Sequence, residues 1–315
     1  MADPHVDVAL SLDMSLGESP LWSQARQTLY WVDINRGEIF AWRPDAGTPP
    51  ETITLDEKVG CIALCEEGLL AAAASGVVRL RLPFDGQPER LAANPEWHEG
   101  RGNRFNDGGC DPAGRFWVGT IDAHATHPTA ALYCLEGGEL VRRQGDIGIA
   151  NGLAFSPDQR WLYHTDSLTR RILRYPFDAA SGSLGEPHPW IDLKALGLPG
   201  VPDGAAVDSQ GHYWSALYGG GRIVRFSPEG EWVASLDVPC PHPTMLAFGG
   251  PELRTLYITT ATQHLDADEK RRCPAACCAP RSTWRGSPQP AGRDADAQVP
   301  QKVRKTRSSG AAGRA

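Results

Sequence analysis

The sequence predicts an all-β fold, a six-bladed β-propeller, and three observations carry the architecture. One two-strand phrase recurs six times, its copies begin 40 to 51 residues apart, and no stretch shows the apolar period of a useful amphipathic helix. Four-stranded units repeated at that interval are the mark of a propeller, and six of them make six blades. A β-sandwich or solenoid would need the hairpins to resemble one another by chance.

The second strand of each unit is the clearest. These strands are LYWVDI from Leu29, LLAAAA from Leu69, FWVGTI from Phe116, LYHTDS from Leu162, YWSALY from Tyr213 and LYITTA from Leu256. Tight-turn residues precede several of them, as in DPAGR (111–115), SPDQR (156–160) and DSQGH (208–212). A third strand follows in five units: EIFAWRP, VVRLRLP, ALYCLE, RILRYPFD and RIVRFSP. The aromatic residues at second-strand starts read as blade packing rather than as a sugar-stacking platform.

The sixth unit breaks the pattern, because no alternating apolar run follows LYITTA. The N-terminal VDVALSL (6–12) can supply one outer strand but not two, so the sixth blade is expected to be incomplete. We therefore divide the chain into a propeller domain, 1–272, and an Ala/Arg/Pro-rich basic tail, 273–315, expected to lack fixed structure. The abrupt change of composition there is what a reading-frame shift would produce.

A chain of 315 residues suits one large all-β domain. Its formal charge is −7, but the tail holds eight Lys or Arg against two Asp, which leaves about −13 on the rest. Such an acidic body disfavours nucleic acid and tolerates a bound cation. The start MADPHVDVALSLDM carries neither a basic leader nor a continuous apolar run, and no later stretch approaches a membrane span. A cytoplasmic, monomeric protein is expected. The eight cysteines are mostly scattered, which suits a reducing compartment, and Cys61 and Cys65 read as packing residues. The CPAACC cluster lacks a partner His or a second Cys pair at usable spacing, and QKVRKTR is basic only by composition.

Inner strands of a propeller line its channel, so polar residues at matching inner-strand positions meet there. Counting back from each second strand, Glu18 lies 11 residues before Leu29 and Asn151 lies 11 before Leu162. Asn106 lies 10 before Phe116, and Asp203 lies 10 before Tyr213. The equivalents in the other two units, near Gly60 and Thr244, carry no charge. Carboxylates and carboxamides converging on an axis call for a cation between them. An all-oxygen set favours a hard divalent ion such as Ca²⁺, Mg²⁺ or Mn²⁺. Asn or Asp before Gly, as in NDG, NGL and PDG, could be turn formers and no more, but Glu18 fits no turn.

The motifs GESPLW with LYWVDI, RFNDGGCDPAGRFWVGT (104–120), NGLAFSPD (151–158) and PDGAAVD (202–208) resemble the gluconolactonase family that includes regucalcin, also called senescence marker protein. The resemblance covers residues 10 to about 270. It implies a six-bladed propeller that hydrolyses a sugar lactone with one divalent metal, Ca²⁺ foremost, with Zn²⁺, Mg²⁺ or Mn²⁺ as alternatives. By motif it implies Glu18, Asn151 and Asp203 as metal ligands and Asp203 as proton acceptor and donor. Arg104 and Asn106 match substrate-binding positions. His124, in DAHAT, stands where mammalian members carry a substrate-binding glutamate, so the sugar preference need not transfer. The tail is a second departure, since the family continues there with an apolar strand pair.

Lactone hydrolysis needs a polarised carbonyl, an activated water and a proton for the departing ring oxygen, and such a site could supply all three. No G-x-S-x-G nucleophile, P-loop or dinucleotide fingerprint occurs. The rivals are a calcium-dependent phosphotriesterase or aryl-esterase, a calcium-binding propeller without turnover, and a binding propeller of the kind built from YWTD repeats. His98 and His127 read as solvated loop residues.

Overall fold

In a computed structural model, which describes residues 6–98, 101–273 and 276–280, strands dominate and the sheets repeat along the chain as a β-propeller. Five blades are each made of consecutive antiparallel strands. Their inner strands are Gly17–Ser23, Val59–Cys65, Arg104–Cys110, Ala150–Phe155 and Val201–Val207. Thr28–Asp33, Gly68–Ala73, Phe116–Ile121, Trp161–Asp166 and Tyr213–Tyr218 lie next to them, as the six-fold phrase predicts.

A further four-stranded sheet joins the two ends of the chain. Its order is Val6–Ser11, Ala276–Pro280, Thr255–Thr260 and Pro243–Gly249. The N-terminal strand takes the outer place expected of it. The expectation that no later segment could add a strand needs correcting: Ala276–Pro280 pairs with Val6–Ser11 from end to end, yet meets Thr255–Thr260 at one register pair, Ile258 with Cys278. Backbone pairing asks only for free N–H and C=O groups, so the apolar alternation used as the strand signal is not required of it. The closing sheet thus runs past residue 272, while the rest of the proposed tail, 281–315, lies outside the described residues.

Side chains between neighbouring sheets form the core. Leu29, Trp31, Trp117, Phe105, Tyr213 and Phe226 are almost fully buried, so the aromatic second-strand starts do pack the blades. Thr244 ties the closing sheet to the first blade, its hydroxyl donating to the Gly17 carbonyl at 2.5 Å. The cysteine reading also needs correction, because Cys240 and Cys273 form a disulfide across 33 residues. It joins the loop before Pro243–Gly249 to the end of the short helix Ala267–Arg272, whose N-cap Asp266 and Glu269 make a capping box. Cys61, Cys65, Cys110 and Cys134 are free thiols, and burial pushes each of them up in pKa. Among the described residues no helix is long and apolar enough to cross a membrane.

Candidate active site

The inner strands share one irregularity. Each slips register against its neighbour near its start: Glu18 to Leu21, Val59 to Cys61, Phe105 to Gly108, Asn151 to Ala154, Pro202 to Ala205 and Pro243 to Leu246. A bulge bends a strand and re-aims a side chain. Glu18 and Asn151 open their bulges, while Asn106 and Asp203 lie inside theirs, so the four residues picked out by counting do sit at matching points. After Glu18 the chain enters the left-handed region at Ser19, φ 50°, and after Asn151 at Gly152, φ 58°. Ser19 bears this conformation without glycine's freedom, and its hydroxyl accepts the Ile62 N–H at 2.9 Å from the next blade. At Gly152 a Cβ would come within 2.3 Å of the Tyr213 hydroxyl, so only glycine fits.

Glu18, Asn151 and Asp203 are buried, each 5 to 7% exposed. A third carboxylate stands with them, Asp107, which the sequence reading treated as part of the NDG turn. It accepts N–H bonds from Gly108 at 2.7 Å and Leu153 at 2.9 Å. Burial nevertheless pushes its carboxyl up to about 6. Glu18 is raised well above the ordinary carboxylate range by burial, and further by the charges of Asp203 and Asp107. Asp203 is raised by burial and by Asp107. Three neighbouring acids therefore resist ionising together.

The carboxamides are held in fixed orientations. Ser167 Oγ donates to the Pro202 carbonyl at 2.6 Å, so it must accept the 2.9 Å bond from Asn151 Nδ2. That leaves Asn151 Oδ1 as the outward acceptor, taking an N–H from Asn106 Nδ2 at 2.8 Å. Asn106 gives its other N–H to the Ala150 carbonyl at 3.0 Å and receives Arg104 Nη1 on its oxygen at 2.9 Å. With both amide hydrogens committed, Asn106 is a bracket between Arg104 and Asn151. Arg104 is half-buried, and burial lowers its pKa to about 10, which leaves it cationic at neutral pH. His124 is exposed, on the loop that follows Phe116–Ile121. Its backbone N–H and those of Thr126 and His127 point to Asp122, which also accepts the Thr129 hydroxyl. His98 and His127 are exposed as well.

Among the described residues no three His, Cys, Asp or Glu side chains are grouped to hold a metal ion, so a ligand set here would draw on other oxygens as well. Glu18, Asp203 and Asn151 Oδ1 would make such a set. It is all oxygen, and a hard cation would relieve the repulsion that raises its acids, so these residues fit a divalent ion of the calcium class.

The SMP-30/Gluconolactonase/LRE-like region matches residues 16–262. A 6-deoxy-6-sulfogluconolactonase of Pseudomonas putida is 42% identical over 276 residues, covering 84% of this chain and 89% of that protein. A pentonolactonase of Haloferax volcanii is 32% identical over 255 residues, 78% of this chain and 81% of the relative. Among solved structures, the calcium-binding protein regucalcin from Agrobacterium tumefaciens superposes with a TM-score of 0.82 at 28% identity, covering 91% of this chain and 97% of that one. These likenesses bear out the expected class, an enzyme hydrolysing lactone esters. The chain belongs to the SMP-30/gluconolactonase/LRE-like family of sugar lactonases.

Proposed function

We propose that this protein hydrolyses an aldonolactone to its aldonic acid at the ring of Glu18, Asn151 and Asp203, with one divalent cation, Ca²⁺ foremost. What supports the reading is the matching place of those three oxygen donors on three bulged inner strands, with the charges of Glu18 and Asp203 close enough to interact and the Asn151 oxygen aimed by Ser167. We count the composite closing sheet as a sixth blade, which completes the ring around them.

When bound, the cation would polarise the lactone carbonyl and acidify a water. Asp203 takes the proton of the attacking water and returns it to the ring oxygen as the ester bond breaks. Positioned acid–base groups of this kind contribute about 10²- to 10⁴-fold in rate. Arg104 presents a guanidinium held by the Phe105 carbonyl at 2.7 Å and by Asn106, so it orients the substrate from a fixed place. Asn106 acts by holding Arg104 and Asn151 in register. His124 lines the mouth, where it meets the far end of the sugar.

The relatives' printed names, a sulfogluconolactonase and a pentonolactonase among them, support a sugar lactone as the substrate class. A monomer in the cytoplasm belongs to the same proposal. Among the described residues the free thiols Cys61, Cys65, Cys110 and Cys134 suit that compartment, and the Cys240–Cys273 disulfide suits an oxidising one, so thiol trapping in cells tests it. For the reaction itself, proton release with glucono-, galactono-, xylono- and arabinonolactone is the test, beside an organophosphate triester and an aryl ester. Turnover of a lactone alone supports the reading, and turnover of the phosphotriester without any lactone overturns it.

A further inference from the structure

At one side of the channel mouth two cationic side chains come together, and among the described residues neither makes a salt bridge, although the charge of Glu18 reaches Arg104. The inner strands of the second and third blades run so close that a Cβ on Gly60 would lie 2.5 Å from the Phe105 carbonyl oxygen and 2.8 Å from the Asn106 nitrogen. Lys58, two residues before Gly60, and Arg104, just before Phe105, are therefore neighbours at the entrance. Lys58 is exposed, and Arg104 is near enough to lower its pKa, after burial. On the other flank, Arg104 pairs in register with Ile121, and Ala123 N–H bonds to Asn103 Oδ1 at 2.9 Å, which brings the loop bearing His124 to the same rim.

The acids of this rim are turned to other donors. Glu57 accepts the Ser75 N–H at 2.7 Å and its hydroxyl at 2.8 Å. Glu96 accepts hydroxyls from Thr120 at 2.6 Å and Tyr133 at 2.7 Å, and an N–H from Asn103 at 3.1 Å. Asp122 is closed off by its own loop. Among the described residues neither Lys58 nor Arg104 has a carboxylate within ion-pair distance, although the chain as a whole is acidic. Among the described residues Arg104 bonds through Nη1 alone, which leaves Nε and Nη2 available to a ligand.

We propose that Lys58 and Arg104, with His124 opposite, form a subsite for an oxyanion carried on the substrate, so that the preferred lactone bears a phosphate, sulfonate or carboxylate at the end remote from its carbonyl. This rests on the lactonase reading and names its substrate class. Two adjacent cations bind such a group by charge-assisted hydrogen bonds, and its charge offsets their mutual repulsion as a neutral sugar does not. A cationic patch at the mouth of an acidic body also draws an anion to that place.

The test compares glucono-δ-lactone with its 6-phosphate on the full chain. Wild type should favour the phosphorylated lactone in kcat/KM. Lys58→Ala should cut the phosphorylated-to-neutral ratio about tenfold, and Lys58→Glu more, as expected when a hydrogen bond to a charged group is lost. The wild-type preference should shrink as salt rises. Lys58 is exposed, so these variants should fold. A ratio that ignores both substitutions overturns the subsite, including the case in which the phosphate is held elsewhere. Binding of sorbitol and sorbitol 6-phosphate, measured by calorimetry, separates the two readings. If no lactone is turned over the lactonase reading falls, yet tighter binding of the phosphate form that Lys58→Glu abolishes still supports the subsite, and equal binding of the two polyols overturns it.

Discussion

Replacing Ser167 with alanine tests how the candidate ligands are aimed. The hydroxyl is buried and makes two bonds, donating to the Pro202 carbonyl at 2.6 Å and accepting from Asn151 Nδ2 at 2.9 Å. Each buried group left without a partner costs about 1–3 kcal/mol, so a loss of roughly 2–6 kcal/mol in unfolding free energy is expected. The sharper effect is on the cation. Without Ser167 to accept from Nδ2, Asn151 can turn its NH₂ toward the channel and its oxygen away, which swaps an acceptor for a donor. Loss of such a supporting bond weakens metal affinity about 10- to 100-fold. The assays are calorimetric titration of Ca²⁺ into chelator-treated protein and urea unfolding of the same samples. Ser167→Thr keeps a hydroxyl and should recover most of the affinity. If Ser167→Ala loses stability but binds Ca²⁺ as tightly as wild type, Asn151 is not aimed by Ser167, and the ligand assignment fails with it.

Two further perturbations address the frame. His164, on Trp161–Asp166, is 1% exposed, its Nε2 has no hydrogen-bond partner, and burial lowers its pKa to about 4. The unfolded chain, near 6.5, takes up that proton first, so stability falls as pH drops from about 6.5 toward 4. Urea unfolding at pH 7.5 and 4.5 should show about 2–3 kcal/mol of acid loss in wild type that His164→Leu lacks; equal losses in both would refute it. Reducing the Cys240–Cys273 bridge, which spans 33 residues, should cost about 4 kcal/mol on the loop-entropy account. An unchanged urea midpoint with and without reductant would show that the bridge does not restrain the closing sheet.

The blades were legible because their second strands alternate and their turns punctuate the chain. The matching inner-strand positions of Glu18, Asn106, Asn151 and Asp203 were legible because every inner strand bulges at the same point, so counting along the chain measured a real geometric repeat. Other features left weaker signals. Asp107 follows Asn106 in a motif that also forms turns, and only the bulge shows that its carboxylate is buried against the backbone of the next blade. Ser167 was hidden because its role comes from two long-range bonds, to Asn151 and Pro202. The strand Ala276–Pro280 gave no apolar pattern, since it is specified by pairing with the N-terminal strand. Lys58 could not be read from sequence at all, because its neighbour Arg104 lies 46 positions away and meets it only across a blade boundary.

The central claim is that Asp203 works with a cation at the channel axis to open a lactone ring. The most direct measurement is proton release from gluconolactone by wild type and Asp203→Asn, each before and after chelation and again after Ca²⁺ is restored. The account predicts that chelation abolishes wild-type turnover and Ca²⁺ restores it, while Asp203→Asn loses about 10²- to 10⁴-fold in kcat with Ca²⁺ present. Turnover indifferent to both chelation and Asp203→Asn would contradict it.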